Sequence, residues 1–235
     1  MSFPTRGWAR IHLLLLAALA TVVSLPADTI TASDLPGSAT VISFDDVLGG
    51  DQNLSGPSVT NQYASLGVVF NNPTYPGQDT IDTNLTSGIP NASAPNALFV
   101  HQGGLLLDPI AAPFQILFSV PVVTVGFDYG SSSDSFLELD AYDSNNFLID
   151  VQTFVGTPTS IGQGGFAGLQ ESANIARLDV SYHPFSNPSR TFNFSIDNLA
   201  YAAPTPEPAT WSIVGLGLLA VGAGCWRKSR RQPRP

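Results

Sequence analysis

Val123-Thr124-Val125-Gly126-Phe127-Asp128-Tyr129, followed after a short break by Leu137-Glu138-Leu139-Asp140-Ala141, decides how the chain folds. Apolar side chains occupy every second position in both segments, the period of a strand with one face in a core and one in water. No long helical period appears in the chain between its two ends. The same alternation puts Tyr129 inward, and in the later run Ile175 to Tyr182 it gives Ala176, Leu178, Val180 and Tyr182 a common face.

Working outward, further short β-branched and aromatic runs lie at Thr40 to Phe44, Gly67 to Phe70, Ala97 to His101, Phe114 to Val120, Phe147 to Phe154 and Thr191 to Tyr201. Clusters of Gly, Pro, Asn, Asp and Ser separate them, as in chains of many strands. Asp143-Ser144-Asn145-Asn146 reads as a hairpin turn, because Asp and Asn accept left-handed backbone and bond their own main chain. Long stretches from Gly49 to Thr60 and from Asn71 to Asn96 read as loops, where a binding site is expected. About eight or nine strands fit residues 28–203, enough for one two-sheet β-sandwich and too few for a second domain.

Charge separates the ends from this middle. Of the nine Lys and Arg, only Arg177 and Arg190 lie between residues 28 and 203, against seventeen acids, a net charge of −15. A surface of that sign repels nucleic acid and anionic lipid. It suits a soluble exported body, divalent cations or contact with neutral glycans. Cys225 is the only cysteine and falls in the last apolar run, so no disulfide staples the body.

At the N-terminus Arg6 and Arg10 precede Ile11 and the short apolar run Leu13 to Leu19, with Ala18-Leu19-Ala20 offering the small-x-small spacing of a signal-peptidase site. Residues 1–27 are therefore expected to be a signal helix that is removed on export. At the other end residues 208–226 carry no charge and are followed by Arg227-Lys228-Ser229-Arg230-Arg231. That run is long enough for a transmembrane helix, and the cations hold its end on the cytoplasmic side.

Pro206-Glu207-Pro208, the apolar Gly-rich run ending at Trp226 and the basic end stand in that order at the C-terminus. Together they resemble a PEP-CTERM sorting signal spanning residues 204–235. The resemblance implies recognition of Pro206, Glu207 and Pro208 by an exosortase, an integral-membrane protease, after transient anchoring in the membrane, and then delivery to the cell surface or extracellular matrix. Within the body, Ile42-Ser43-Phe44-Asp45-Asp46, Ala94-Pro95-Asn96-Ala97-Leu98, Val125-Gly126-Phe127-Asp128 and Phe194-Ser195-Ile196-Asp197-Asn198-Leu199 resemble galactose-binding-like jelly rolls. That resemblance implies an all-β sandwich more than any one activity, since the fold carries many functions.

Two kinds of site follow. Asp45 and Asp46 close an early strand while Asp197 and Asn198 lie in the last, so a jelly roll can bring their oxygens together; a structural calcium ion, which takes six to eight oxygen ligands, would suit them. Strand-end capping explains the same acids without a metal. His101 and His183 sit in no catalytic motif and read as turn residues. There is no Gly-x-Ser-x-Gly elbow and no His-Glu-x-x-His helix. The body is expected to be non-enzymatic and to bind or scaffold an exopolysaccharide, with loop Tyr75 an exposed candidate for sugar stacking. The alternative is a secreted glycan-acting enzyme whose paired acids meet only in space.

Overall fold

The computed structural model describes residues 28–46, 56–83, 89–101, 112–131, 135–159, 163–186 and 193–204. The expected signal helix, the sorting tripeptide and the apolar run 208–226 lie outside these residues. A boundary between two units of the chain falls between Ala203 and Pro204. No described helix is long and apolar enough to cross a membrane.

The described chain is nearly all β. Its strands are β1 (Asp28–Thr29), β2 (Thr40–Ile42), β3 (Val68–Asn71), β4 (Thr80–Thr83), β5 (Asn96–Val100), β6 (Phe114–Ser131), β7 (Ser135–Tyr142), β8 (Leu148–Val155), β9 (Thr157–Pro158), β10 (Gln163–Pro184) and β11 (Phe194–Ala202), with 3-10 turns at Ala32–Asp34 and Ala64–Leu66. Hydrogen bonding runs in the order β4-β5-β11-β6-β10-β7-β8, with the shorter strands attached to its flanks.

Two long strands turn this single ladder into two layers. The first half of β6 pairs with β3, Val68 opposite Phe118, and with the second half of β10, Phe114 opposite Val180. Its second half pairs with β11 and with the first half of β10, Gly130 opposite Gly164. At the change-over the β6–β10 register slips twice, between Gln170 and Ile175 and between Ile175 and Arg177. Such bulges bend and twist a strand. Pro121, which has no N–H to give a ladder, sits in β6 at the same corner.

Rings from the two halves meet between the layers. Phe114 lies edge-on to Phe194 at 6.5 Å, Tyr182 stacks on Phe194 at 5.9 Å and meets Tyr129 at 6.2 Å, and Phe118 contacts Tyr201 at 5.5 Å. The arrangement is consistent with a β-sandwich. Tyr129 and Tyr182 are buried, as alternation predicts. Each fully buried large apolar side chain contributes about 1.5–3 kcal/mol.

Three boundaries differ from the sequence reading. The runs Phe114 to Val120 and Val123 to Tyr129 are one strand, because the bend at Pro121 does not interrupt pairing for long. β10 starts at Gln163 rather than Ile175: Gly164, Gly165 and Gly168 weaken the local strand signal, and tertiary pairing overrides it. β4 arises inside the stretch read as a loop, held by Thr80 opposite Phe99 and Ile81 opposite Leu98 on β5. The hairpin is as expected, with Asp143 Oδ1 accepting from the Asn145 and Phe147 amides at 2.8 and 2.9 Å and Asn146 at φ 65°.

Candidate functional site

Leu137, Leu139 and Ala141 of β7 are fully buried, so Phe136, Glu138, Asp140 and Tyr142 project from the opposite, outer face. Register extends that face sideways, because residues directly opposite one another share a face. On β10 the partners of those four are His183, Ser181, Asp179 and Arg177; on β8 they are Val155, Thr153, Val151 and Leu148. Beyond β10, Asp179 faces Gln115 of β6, which faces Asn71 of β3. The outer face of five strands thus forms one continuous surface.

Along the strands its chemistry changes in order. At one end Phe136 stacks on His183 at 5.3 Å and touches Phe185 at 5.7 Å, while Phe185 and Val155 stay 45% and 65% exposed. The middle is acidic and hydroxylated on β7 and β10, with Glu138, Asp140, Asp179 and Ser181, while β8 sets Thr153 beside Val151, which is 44% exposed. His183 Nε2 stands 4.0 Å from Glu138 Oε1. At the other end the Arg177 guanidinium lies 3.8 Å over the Tyr142 ring, its Nε 2.8 Å from Asp179 Oδ1, and its Nη1 donates to the Asn146 side chain. Gln115 Nε2 donates to Asp179 Oδ1 at 3.3 Å, and Asn71 Nδ2 donates to Gln115 Oε1 at 2.6 Å.

The electrostatics follow from crowding of acids on a half-buried sheet face. Burial pushes the Asp140 carboxyl up to about 6, reinforced by Glu138 and Asp179 and opposed by His183 and Arg177. Its Oδ1 is buried without a hydrogen-bond partner among the described residues. Burial also raises Asp179, with Arg177 and Gln115 pulling the other way. The surface therefore offers carboxylate and amide acceptors beside aromatic carbon, a combination that receives hydroxyl groups and apolar C–H faces.

The expected calcium residues are put to another use. Asp197 is fully buried in β11, where its Oδ2 accepts from the Ser93 amide at 2.6 Å and Ser93 Oγ at 3.0 Å, and its Oδ1 from the Asn198 amide at 2.7 Å. Asp45 Oδ1 accepts from the Asn96 amide at 2.9 Å, and Asn198 Nδ2 donates to the Asn91 carbonyl and to Asp128 Oδ2, both at 3.0 Å. Asp46 turns elsewhere and takes the Tyr63 hydroxyl at 2.8 Å. Asp45 is near enough to Asp197 to raise its carboxyl, but burial is the larger cause of its rise to about 6. Asp45, Asp197 and Asn198 thus clamp the segment around the cis Ala94-Pro95 bond against β11, while Asp46 holds Tyr63. Among the described residues no group of three or more His, Cys, Asp or Glu is placed to hold a metal ion.

Other expectations are redistributed. His183 is not a turn residue: it lies in β10 and belongs to the outer face. His101 follows β5 directly and packs edge-on against Tyr75 at 4.5 Å, which makes Tyr75 half-buried rather than a free stacking ring. The described part of the 71–96 stretch is tied to itself and to the end of β5, with Asp79 Oδ1 accepting from Asn72 Nδ2 at 2.9 Å and the His101 amide at 2.8 Å. Alternation had already turned Glu138 outward. The row it belongs to becomes visible only once β7, β8 and β10 are in register.

No curated protein sequence matches the chain. Among solved structures, similarity extends to the K1 cleaved adhesin domain of Lys-gingipain from Porphyromonas gingivalis, at 12% identity over 77% of this chain and 100% of that one, TM-score 0.34. The K2 cleaved adhesin domain of Lys-gingipain is similar at 8% identity over 72% and 100%, TM-score 0.39. A family 29 carbohydrate-binding module is similar at 15% identity over 60% and 96%, TM-score 0.33. At the C-terminus, the PEP-CTERM protein-sorting motif matches residues 204–231, so the chain carries the signal that marks a protein for exosortase-sorted export.

Proposed function

We propose that this is a non-enzymatic protein of the bacterial envelope or extracellular matrix whose body, a galactose-binding-like jelly roll, binds polysaccharide on the outer face of β3, β6, β10, β7 and β8. The observation that carries the reading is the ordered strip on that face: the Phe136–His183–Phe185 cluster, then the acids, then Tyr142 under Arg177. Sugars combine apolar ring faces with hydroxyl rims, and such a strip matches both. The signal segment and the exosortase signal supply the route, with signal peptidase and exosortase as processing partners and residues 208–226 as a temporary membrane hold.

A glycan array probed with the purified full chain in detergent tests the binding half. Binding that disappears in Phe136→Ala while the melting temperature stays within a few degrees supports the reading; an array without a single ligand, or one equally bright with the variant, refutes it. Mass spectrometry of the mature C-terminus in cells with and without the exosortase tests the sorting half. A chain that keeps residues 208–226 in both strains would be permanently anchored.

A glycan-acting enzyme is the second reading, supported by Asp140, whose raised carboxyl beside Glu138 suits proton donation near neutrality. Turnover of a polysaccharide that Asp140→Asn abolishes without loss of binding would favour it.

A further inference from the structure

We infer that the outer face takes an internal segment of an uncharged polysaccharide, lying along the strands, and excludes uronate-bearing or sulfated chains. This rests on the polysaccharide reading above and goes beyond it by fixing ligand charge and direction.

Charge is settled by what the face holds and what is already engaged. Glu138, Asp140 and Asp179 occupy its middle, and Arg177 is the only Lys or Arg among the described residues. That guanidinium is engaged on three sides, by Asp179 at 2.8 Å, by the Tyr142 ring at 3.8 Å and by the Asn146 side chain. Among the described residues, an anionic sugar laid over the strip meets carboxylates and no uncommitted guanidinium, and like charges brought together at a contact surface suppress binding. A hydroxyl donor meets acceptors instead, first the Glu138 carboxylate, whose side chain is 35% exposed. A polycation is drawn by the net charge of the whole body, but that attraction is long-ranged and lost to screening.

Direction follows from the order of the groups. The exposed apolar carbon of Phe185 and Val155 flanks Phe136 at one end, and Tyr142 under Arg177, with the exposed Leu148 opposite it, closes the other. Six residue steps along β7 take Phe136 to Tyr142, about 20 Å at roughly 3.4 Å per step. A single sugar reaches one end only, whereas a chain segment reaches platform, acceptors and far end together.

Calorimetry of the full chain in detergent against three polymers of matched length, one uncharged, one uronate-bearing and one of amino sugars, distinguishes the outcomes. The inference predicts that the uncharged polymer binds at least about tenfold more tightly than the uronate polymer at low salt. It also predicts little change for the uncharged polymer in about 1 M salt, where the Debye length is about 3 Å. Affinity for uncharged oligosaccharides should rise with length until about 20 Å is covered. The double variant Glu138→Gln, Asp140→Asn should admit the uronate polymer. Equal or better binding of the uronate polymer by the natural chain, or preference for the amino-sugar polymer that survives high salt, overturns the inference while leaving a polysaccharide-binding face. Binding to none of the three overturns the polysaccharide reading itself.

Discussion

Arg177 shows how single residues hold the outer face in shape. It lies over Tyr142 and pairs with Asp179, which is 5% exposed. Removing the guanidinium strands a buried carboxylate. Arg177→Ala should therefore cost about 2 kcal/mol of stability, read by urea denaturation, and Arg177→Lys should recover only part because it lacks the planar fork. Asp197 does comparable service inside: without it the Ser93 amide and hydroxyl and the Asn198 amide lose their acceptor. Asp197→Ala should cost about 1–3 kcal/mol. Because these acids already hold protein donors, calcium titrated to the millimolar range should leave the melting temperature unchanged. A rise that Asp197→Ala abolishes would restore the metal. Sequence identified Asp45, Asp46, Asp197 and Asn198 as a group worth attention, but donor geometry, invisible in one dimension, decides between clamp and ligand.

At the level of elements, β6 and β10 carry the architecture, and their glycines are where it is most exposed to change. A Cβ on Gly126 would come within 2.4 Å of the Phe166 ring, and one on Gly168 within 2.6 Å, because Phe166 lies across both positions on the outer side of the second layer. A ring laid over strand glycines restores the packing they lack. Phe166→Ala should lower stability by about 1–2 kcal/mol, and Gly126→Val should destabilise the natural chain more than it destabilises the Phe166→Ala background. That coupling, measured as a double-mutant cycle, checks the contact; additive effects would remove it. The same glycines explain what sequence could and could not reveal here. Alternation in β7 and in Ile175 to Tyr182 was strong enough to be read directly. Gln163 to Gln170 was not, since its strand character comes from pairing with Ser131 to Thr124 rather than from its own residues. The outer-face site was half legible in the same way: Glu138 pointed outward from its spacing, while its neighbours depend on register.

For the whole body, the notable quantity is buried acid. Burial raises Asp79, Asp140 and Asp197 to about 6 and Glu171 to about 7. For Glu171, the nearby Asp150 and Asp28 add to the effect, and its Oε1 meets no partner among the described residues. A carboxyl whose folded value lies above its unfolded one binds more protons in the native state between the two, so stability falls as pH rises through that window. Self-repulsion of a surface that is strongly negative acts in the same direction. The melting temperature should therefore be higher near pH 5 than near pH 7.5 and level off above it; a melting temperature that climbs across that interval would show that other groups govern stability. This acidic body precedes a tail that carries the signal for exosortase-sorted export. The most direct test of the account is retardation of the full chain in a native gel containing a soluble uncharged polysaccharide, run beside Phe136→Ala. The account predicts retardation of the natural chain and free migration of the variant at unchanged stability, whereas equal migration of the two would contradict it.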